Sequence, residues 1–300
     1  MIHYLLLAHK NFNQLSFLIK KLKTKNSKIY LHVDGKVKFS PEFENVIYIK
    51  NRVKTYRWWF SQIRTEVTWI KQIFENMKYW DHLIIISGQC RPIKKIENIE
   101  KYIDGLWNES CLELQDDNCI LQKVDRYYFN DLDLCMPRLN RWLCNLIEKI
   151  WYNMGRTKVP VINIILSEIV NIILPRRKYL KTKYKIYKWG NWIVLSYKHT
   201  KRVVDFLKTD EWKKFYKSFR MTNCADEIFL QTMLYNSPMK NEIKNELLWY
   251  VKWEKNTSSP YIITLDFYDE IKNSGKLFAR KFDINKDWAI VEKLEKNLSN

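Results

Sequence analysis

The sequence predicts an α/β fold built on a mainly parallel sheet, on three observations. The runs at 4–8, 28–33 and 82–88 are apolar on both faces, as strands covered by two layers are. Segments of helical period alternate with them. The 300 residues are 46% hydrophobic with only 6 Gly and 7 Pro, which supplies a core and leaves no flexible linker or disordered tract. No internal repeat or low-complexity segment interrupts the chain.

Taken in order, the run 4–8 is the first strand and leads into His9-Lys10-Asn11. Leu15, Leu18, Ile19 and Leu22 then mark one face of a helix. The second strand, 28–33, ends at Asp34-Gly35, and 46–49 is a third. Ile63, Val67, Ile70 and Phe74 mark a long helix. The run from His82 closes on Ser87-Gly88-Gln89. Val203, Val204, Phe206 and Leu207 pack a helix behind the strand at Trp192. Asp287 caps the last helix, whose buried face carries Val291, Leu294 and Leu298. Ligands of such sheets gather at the carboxyl ends of the strands, which here are His9, Asp34 and Ser87-Gly88. Asp34 either hydrogen-bonds a ribose or base edge or forms the turn before Gly35.

A second cluster of chemistry lies in 223–232. Asn223 is an N-cap residue and Asp226 falls three positions later, as in a capping box. Ile228, Phe229, Leu230, Met233 and Leu234 give the helix its apolar side. The adjacent Asp226 and Glu227 either complement the helix dipole, or one caps while the other is presented to a substrate.

Lys and Arg number 52 against 33 Asp and Glu, a net charge of +19. That excess calls for an anionic partner: nucleic acid, a phosphorylated ligand or an anionic membrane face. The 6 cysteines form no C-x-x-C pair and no Cys/His cluster, so they read as free thiols in a reducing compartment. The first residues are a buried strand without a basic lead-in, not a signal peptide, and the expected location is the cytoplasm.

The middle of the chain carries three further signals. Lys123 and Arg126 have a Lys-x-x-Arg spacing that puts both on one face if helical. Asp131-Leu132-Asp133 is an Asp-x-Asp string that could hold Mn²⁺ or Mg²⁺, although no clear apolar strand precedes it and such strings arise by chance. Residues 160–175 form an apolar helix with a polar stripe of Asn163, Ser167 and Asn171, too short to span a bilayer. Seven basic residues follow without an acidic one: Arg176, Arg177, Lys178, Lys181, Lys183, Lys185 and Lys188. With Tyr179, Tyr184 and Tyr187 among them, this tract suits an anionic membrane surface or, alternatively, a solvated face of the core.

Motifs in order along the chain resemble the branching-type glycosyltransferases of family 14, which include core-2 type β-1,6-N-acetylglucosaminyltransferases, peptide O-xylosyltransferases and bacterial relatives. The opening is Tyr4-Leu5-Leu6-Leu7-Ala8-His9-Lys10 with His32-Val33-Asp34. Arg57-Trp58-Trp59 resembles a tryptophan-glycine turn with Trp59 in place of glycine. Ser87-Gly88-Gln89-Cys90-Arg91-Pro92 resembles Ser-Gly-x-Asp-x-Pro with Cys90 in place of aspartate. Gly190-Asn191-Trp192-Ile193 resembles the strand before the acceptor site. Ala225-Asp226-Glu227 through Thr232 resembles the Pro-Asp-Glu-x-x-x-x-Thr motif without its proline. Leu277-Phe278-Ala279-Arg280-Lys281-Phe282-Asp283 resembles the carboxyl-terminal signature.

The resemblance implies a GT-A fold and an inverting transfer from a UDP-sugar, with UDP-N-acetylglucosamine as first donor and UDP-xylose as second. It makes Glu227, beside Asp226, the general base. Lys281 holds the diphosphate with Arg280 as helper or surface residue, so basic side chains replace the metal and no cofactor is expected. His9, Asp34, Ser87 and Gly88 then face the nucleotide sugar, and Lys123, Arg126 and Trp192 the acceptor. Relatives have a second basic residue where this chain has Trp249; Lys252 is the substitute or a solvent-facing lysine. The expected layout is one domain over 1–300, with a nucleotide-binding half at 1–105, a variable acceptor- or membrane-facing insertion at 106–190, and a catalytic and diphosphate-binding half at 191–300. Partners are a UDP-sugar, a glycan or lipid-linked oligosaccharide, and the anionic inner membrane face. The alternative is a basic nucleic-acid-binding protein without catalysis, for which no accompanying motif is present.

Overall fold

The computed structural model describes the chain except residues 39–41, 56–59, 116–118, 129–167, 189, 254–258 and 300. Its strands are β1 (Ile2–Ala8), β2 (Ser27–Val33), β3 (Ile47–Tyr48), β4 (His82–Ser87), β5 (Cys90–Pro92), β6 (Ser110–Cys111), β7 (Val194–Ser196), β8 (Ile243–Lys244), β9 (Trp249–Val251) and β10 (Phe278–Arg280). Among the described residues seven strands form one sheet in the order β3-β2-β1-β4-β7-β6-β8, and three form a second, β5-β10-β9.

The first half of the large sheet is parallel, as the doubly apolar runs require. Leu5 of β1 lies opposite Tyr30 of β2 and Ile85 of β4. Alternation then divides the core. Leu5, Tyr30 and Ile85 pack on one face against Ile63 and Ile70 of α2 (Phe60–Phe74). Tyr4, Leu6, Leu31 and Ile86 pack on the other against Leu15, Leu18 and Leu22 of α1 (Phe12–Leu22). The second half departs from the parallel expectation: β7 runs antiparallel to both β4 and β6. An apolar strand reads alike in either direction, so the pattern could not reveal this. The reversal brings the residues just before β7 to the carboxyl end of β4.

One face of the small sheet has its own core, in which Ala279 meets Ile263, Ile271, Phe282, Ile290 and Leu294, while Phe278 on the other face joins the α1 side of the large sheet's core. Fully buried Arg91 of β5 reaches Glu295 at 2.5 Å and pins this sheet to α10 (Ala289–Ser299). Asp287 caps α10 as expected, accepting the Ile290 N–H at 3.3 Å. The segments 1–105, 106–190 and 191–300 all contribute strands to the large sheet.

Two local expectations are corrected. Asn223 and Asp226 form no capping box. Cys224 takes a left-handed backbone (φ 52°), residues Ala225–Glu227 make a 3₁₀ turn, and α8 (Phe229–Tyr235) begins only beyond it. Asn223 Oδ1 accepts instead from the adjacent Cys224 N–H. Lys123 and Arg126 do not share a helical face either: α4 (Ile120–Asp125) stops before Arg126, which is extended. Of the expected 160–175 helix, the described residues show 168–173 as helical. Asn163 and Ser167 lie outside the described residues, as do Asp131, Asp133 and the Arg57–Trp59 turn. Cys90, Cys111 and Cys224 are free thiols.

Candidate active site

The crevice starts at the carboxyl ends of β1, β2 and β4. Asp34 is buried and fully engaged: Oδ1 accepts the Lys36 N–H at 2.8 Å, and Oδ2 accepts from Thr55 Oγ1 at 2.7 Å and lies 3.5 Å from Lys36 Nζ. This is the turn geometry, and it also aims a fixed carboxylate at the sheet edge. Gly35 is obligatory here, because a Cβ would stand 2.9 Å from the Lys54 backbone nitrogen. Arg52 clamps the same turn by donating to the carbonyls of Val33 and Asp34. His9 opens to solvent at the lip of the crevice. Desolvation by the crevice walls, then Lys10, lowers its imidazole to about 4 against the pull of Asp34, so it is neutral at pH 7.

Gln14 ties the floor together from α1. Its amide donates to Gly88 O at 2.8 Å and to Phe282 O at 3.1 Å, and its carbonyl accepts the Ile284 N–H at 3.0 Å. The loop after β4 is thereby fixed to the chain leaving β10. Phe282 closes the loop from its own side by donating to Gln89 O.

Arg280, at the end of β10, lies over the Trp192 ring with its guanidinium carbon 4.1 Å from the centroid, and donates to Ser87 Oγ at 2.6 Å. Cys90 is buried beside them, its Sγ 3.4 Å from Ser87 Oγ. Arg280 Nη1 lies 4.0 Å from the Cys90 Sγ. Lys281 follows across a cis peptide bond and donates to Ser259 Oγ at 3.1 Å. Trp249 is buried and stacked on Phe278, with ring centroids 5.0 Å apart. Lys252 points elsewhere, 2.7 Å from Glu270 and over the Phe267 ring.

The carboxylate turn sits next door. Asp226 is buried, and its Oδ2 accepts from Asn191 Nδ2 at 2.5 Å while Oδ1 has no hydrogen-bond partner. Burial, then the Glu227 charge, raises Asp226 to about 7. Glu227 is half-buried, with Lys188 Nζ 3.6 Å from its Oε2. Lys123 carries its charge to the same corner: it acts on Cys224 together with Glu227, Asp226 and Lys188, and its carbonyl accepts the Asn223 N–H. Arg126 faces away, 3.6 Å from Glu168.

Asn191 and Trp192 therefore join the two halves. One side chain holds the carboxylate turn, and its neighbour stacks on the arginine that reaches Ser87. The structure brings together Asp34, His9, Ser87, Gly88 and Arg280 along one edge, and Asp226, Glu227, Lys123 and Trp192 along the other. Asn191 and Lys188 are additions that the sequence reading missed. Asn191 was signalled by its place beside Trp192. Lys188 was hidden within a run of basic residues.

Fold and site together define a mixed α/β protein with a polar crevice at the carboxyl ends of its parallel strands. The chain belongs to the Core-2/I-Branching enzyme family, whose profile matches residues 2–272. It is 26% identical over 115 residues to a probable β-1,3-galactosyl-O-glycosyl-glycoprotein β-1,6-N-acetylglucosaminyltransferase 7 of Sus scrofa. That match covers 35% of this chain and spans 27% of the relative's length. A distant likeness to the galactosyltransferase LgtC, solved with donor and acceptor sugar analogues, covers 99% of this chain and 96% of that one at 9% identity and a TM-score of 0.41.

Proposed function

We propose that the chain is an inverting glycosyltransferase. It moves a sugar, N-acetylglucosamine in the first instance, from a UDP-sugar to a hydroxyl of a glycan or lipid-linked oligosaccharide in cell-surface polysaccharide or glycolipid synthesis. The observation that carries this reading is the Asn191-Trp192 junction, which sets a carboxylate turn beside a crevice edged by Arg280. Family membership and a β-1,6-N-acetylglucosaminyltransferase among the relatives support the reaction class and the donor; a pentose donor such as UDP-xylose is the second choice.

In this reading Glu227 accepts the acceptor hydroxyl proton as that oxygen bonds to the anomeric carbon. The bond from that carbon to the β-phosphate oxygen breaks, and UDP leaves with the electron pair. Lys281 and Arg280 stabilise the charge growing on the diphosphate, without a metal. Asp34, His9, Ser87 and Gly88 bound the nucleotide side, and Trp192 and Lys123 the acceptor side. Arg126 belongs to the acceptor side only through its neighbours, since its own side chain turns to Glu168.

The test is Glu227→Gln, which keeps shape and hydrogen bonding but cannot take the proton. UDP release in the presence of acceptor should fall at least about a hundredfold, while calorimetry finds donor affinity within a fewfold of the wild type. Normal turnover in Glu227→Gln with an inactive Asp226→Asn would transfer the role to Asp226.

Peripheral contact with an anionic membrane is a second element of the proposal. Ile172 and Ile173 are 82% and 72% exposed, immediately before the basic tract. Such contact would hold the enzyme near a lipid-linked acceptor.

A further inference from the structure

The crevice lies at the carboxyl ends of β1, β2 and β4, and the opposite end of the sheet carries a second surface. The turn 78–81 leads into β4, and the turn 104–109 runs from α3 (Ile96–Asp104) into β6. Both turns sit at the amino side of the central strands, because Cys111 of β6 pairs with Val194 and Val194 pairs with Ile84 of β4. Trp80 and Trp107, one from each turn, meet there with ring centroids 5.7 Å apart. Tyr79 packs edge-on against Trp80 at 4.6 Å. All three rings are open to solvent, Tyr79 at 51%, Trp80 at 50% and Trp107 at 67%.

These rings are held in place. Tyr79 also meets Tyr197, which stacks on Phe74 of α2 at 5.2 Å, and its hydroxyl accepts from Asn108 Nδ2 at 3.1 Å. Asp81 closes the first turn by accepting the Lys78 N–H at 2.7 Å. The second turn is closed by the Trp107 N–H on Asp104 O and the Glu109 N–H on Leu106 O. Trp80 and Trp107 both take a left-handed backbone, with φ of 79° and 54°. Glycine and asparagine adopt that conformation readily, whereas a bulky side chain in it is strained. Neither indole is hidden in a core, so packing returns little for the strain. Strain kept at an exposed aromatic cluster marks a surface that meets a ligand.

Beside Trp107 a groove of about 440 Å³ runs past Leu106 and along α3 to Lys244. Its walls are polar and carry both signs of charge. Asn98, Lys101 and Tyr102 come from α3; Lys244 lies 2.7 Å from Glu109, and the Tyr102 hydroxyl donates to Glu246 at 2.7 Å. Carboxylates among the lysines make this a poor seat for an anionic bilayer, which is drawn to basic clusters. A neutral chain of sugars suits it. The C–H face of a pyranose ring lies well on the negative face of an indole, and its hydroxyls find both donors and acceptors in the groove.

We propose that Tyr79, Trp80 and Trp107, with the adjoining groove, bind a neutral oligosaccharide chain at a site separate from the crevice. The length of β4 puts the two roughly 20 Å apart. Holding a glycan by a stretch remote from its reacting hydroxyl raises the local concentration of that hydroxyl at the crevice. This use rests on the reading of the crevice as a glycosyltransferase site; the binding does not.

The test is an array of neutral oligomers of glucose, galactose and N-acetylglucosamine, probed with the wild type and with Trp80→Asn/Trp107→Asn, followed by calorimetry on the strongest binder. Asparagine tolerates the left-handed backbone, so Trp107→Asn alone should melt no lower than the wild type. Affinity of the double variant should fall roughly tenfold or more, the scale of losing a tryptophan anchor. With an acceptor of several sugars its KM should rise while kcat holds, and with a single-sugar acceptor both should stay. A wild type that binds no oligomer overturns the proposal, as does equal binding by the double variant. A marked fall in melting temperature in Trp107→Asn overturns it too, since the ring would then be structural. Vesicle binding or self-association that only the double variant loses would make a bilayer or a second copy the occupant, and also overturns it. A wild type that binds oligomers through these rings but releases no UDP keeps this site and rejects the transfer reading. Transfer without such binding rejects this site alone.

Discussion

Arg280 shows how single residues divide the work at this site. Its guanidinium is held over the Trp192 ring and anchored to Ser87, so it offers a fixed charge rather than a mobile one. Lys281 is the more adaptable partner, a point charge on a flexible stem. If these side chains stabilise the leaving diphosphate, Lys281→Ala should lower kcat/KM by roughly 3 kcal/mol, about what one lost transition-state donor costs. Activity should persist in EDTA. Full inhibition by EDTA, restored by Mn²⁺, would move the task to Asp131 and Asp133, which lie outside the described residues.

At the scale of elements, α1 does more than cover the sheet. Gln14 reaches from it to Gly88, Phe282 and Ile284, which belong to the β4 loop and the segment after β10. The small sheet is thereby fixed to the large one at the crevice floor. Gln14→Leu would keep the volume but leave three buried backbone groups without partners, each at about 1–3 kcal/mol. Chemical denaturation should show a loss of at least about 2 kcal/mol, and the donor KM should rise. A variant as stable as the wild type would mean that packing and the remaining hydrogen bonds, Arg280 to Ser87 and Phe282 to Gln89, join the two sheets without Gln14. The same scale explains the missing capping box. Cys224 turns left-handed, and the Asp226 carboxylate is drawn to Asn191 rather than to the helix start.

Over the whole molecule, burial of histidines sets the response to acid. Burial lowers His32 and His82 to about 4, and it lowers His3 and His199 as well. The unfolded chain takes up these protons near pH 6.5, while the fold resists until about pH 4. Stability is thus present above about pH 6.5 and lost as pH falls toward 4, on the order of 3 kcal/mol for each fully shifted histidine. Asp226 and Glu66, both held above their unfolded values by burial, act in the opposite sense, but they are two groups against four. Calorimetry should find the melting temperature falling from about pH 6.5 to pH 4.5; a flat profile would refute this account. Charge has a second consequence at this scale. Arg176 and Lys181 both lie near Asp125, Lys183 faces Glu211, and Arg177 donates to the carbonyls of Arg126 and Met221. Much of the basic tract is therefore satisfied within the chain, which weakens the case for nucleic acid. If residues 160–188 dock on an anionic bilayer, co-sedimentation with anionic vesicles should fade with added salt and drop on neutralising Lys178, Lys181, Lys183 and Lys185, at about 1 kcal/mol each. A wild type that stays in the supernatant at low salt would end the idea.

The sequence by itself determined the elements whose signals are local. Doubly apolar runs gave β1, β2 and β4, helical periodicity gave α1 and α2, and turn chemistry put Asp34 and Ser87 at strand ends. The order of motifs carried the family. Tertiary structure alone decided which of these meet. The antiparallel course of β7 places Asn191 and Trp192 at the crevice, and nothing in an apolar run encodes strand direction. Partner choice decided the fate of individual charges. Lys188 left the basic tract to face Glu227, Lys252 went to Glu270, and Arg126 left the face it was expected to share with Lys123. The capping box failed because a hydrogen bond to a residue 35 positions away in sequence took its acceptor. Spacing along the chain does not report an interaction of that kind, because its strength depends on burial and distance in space.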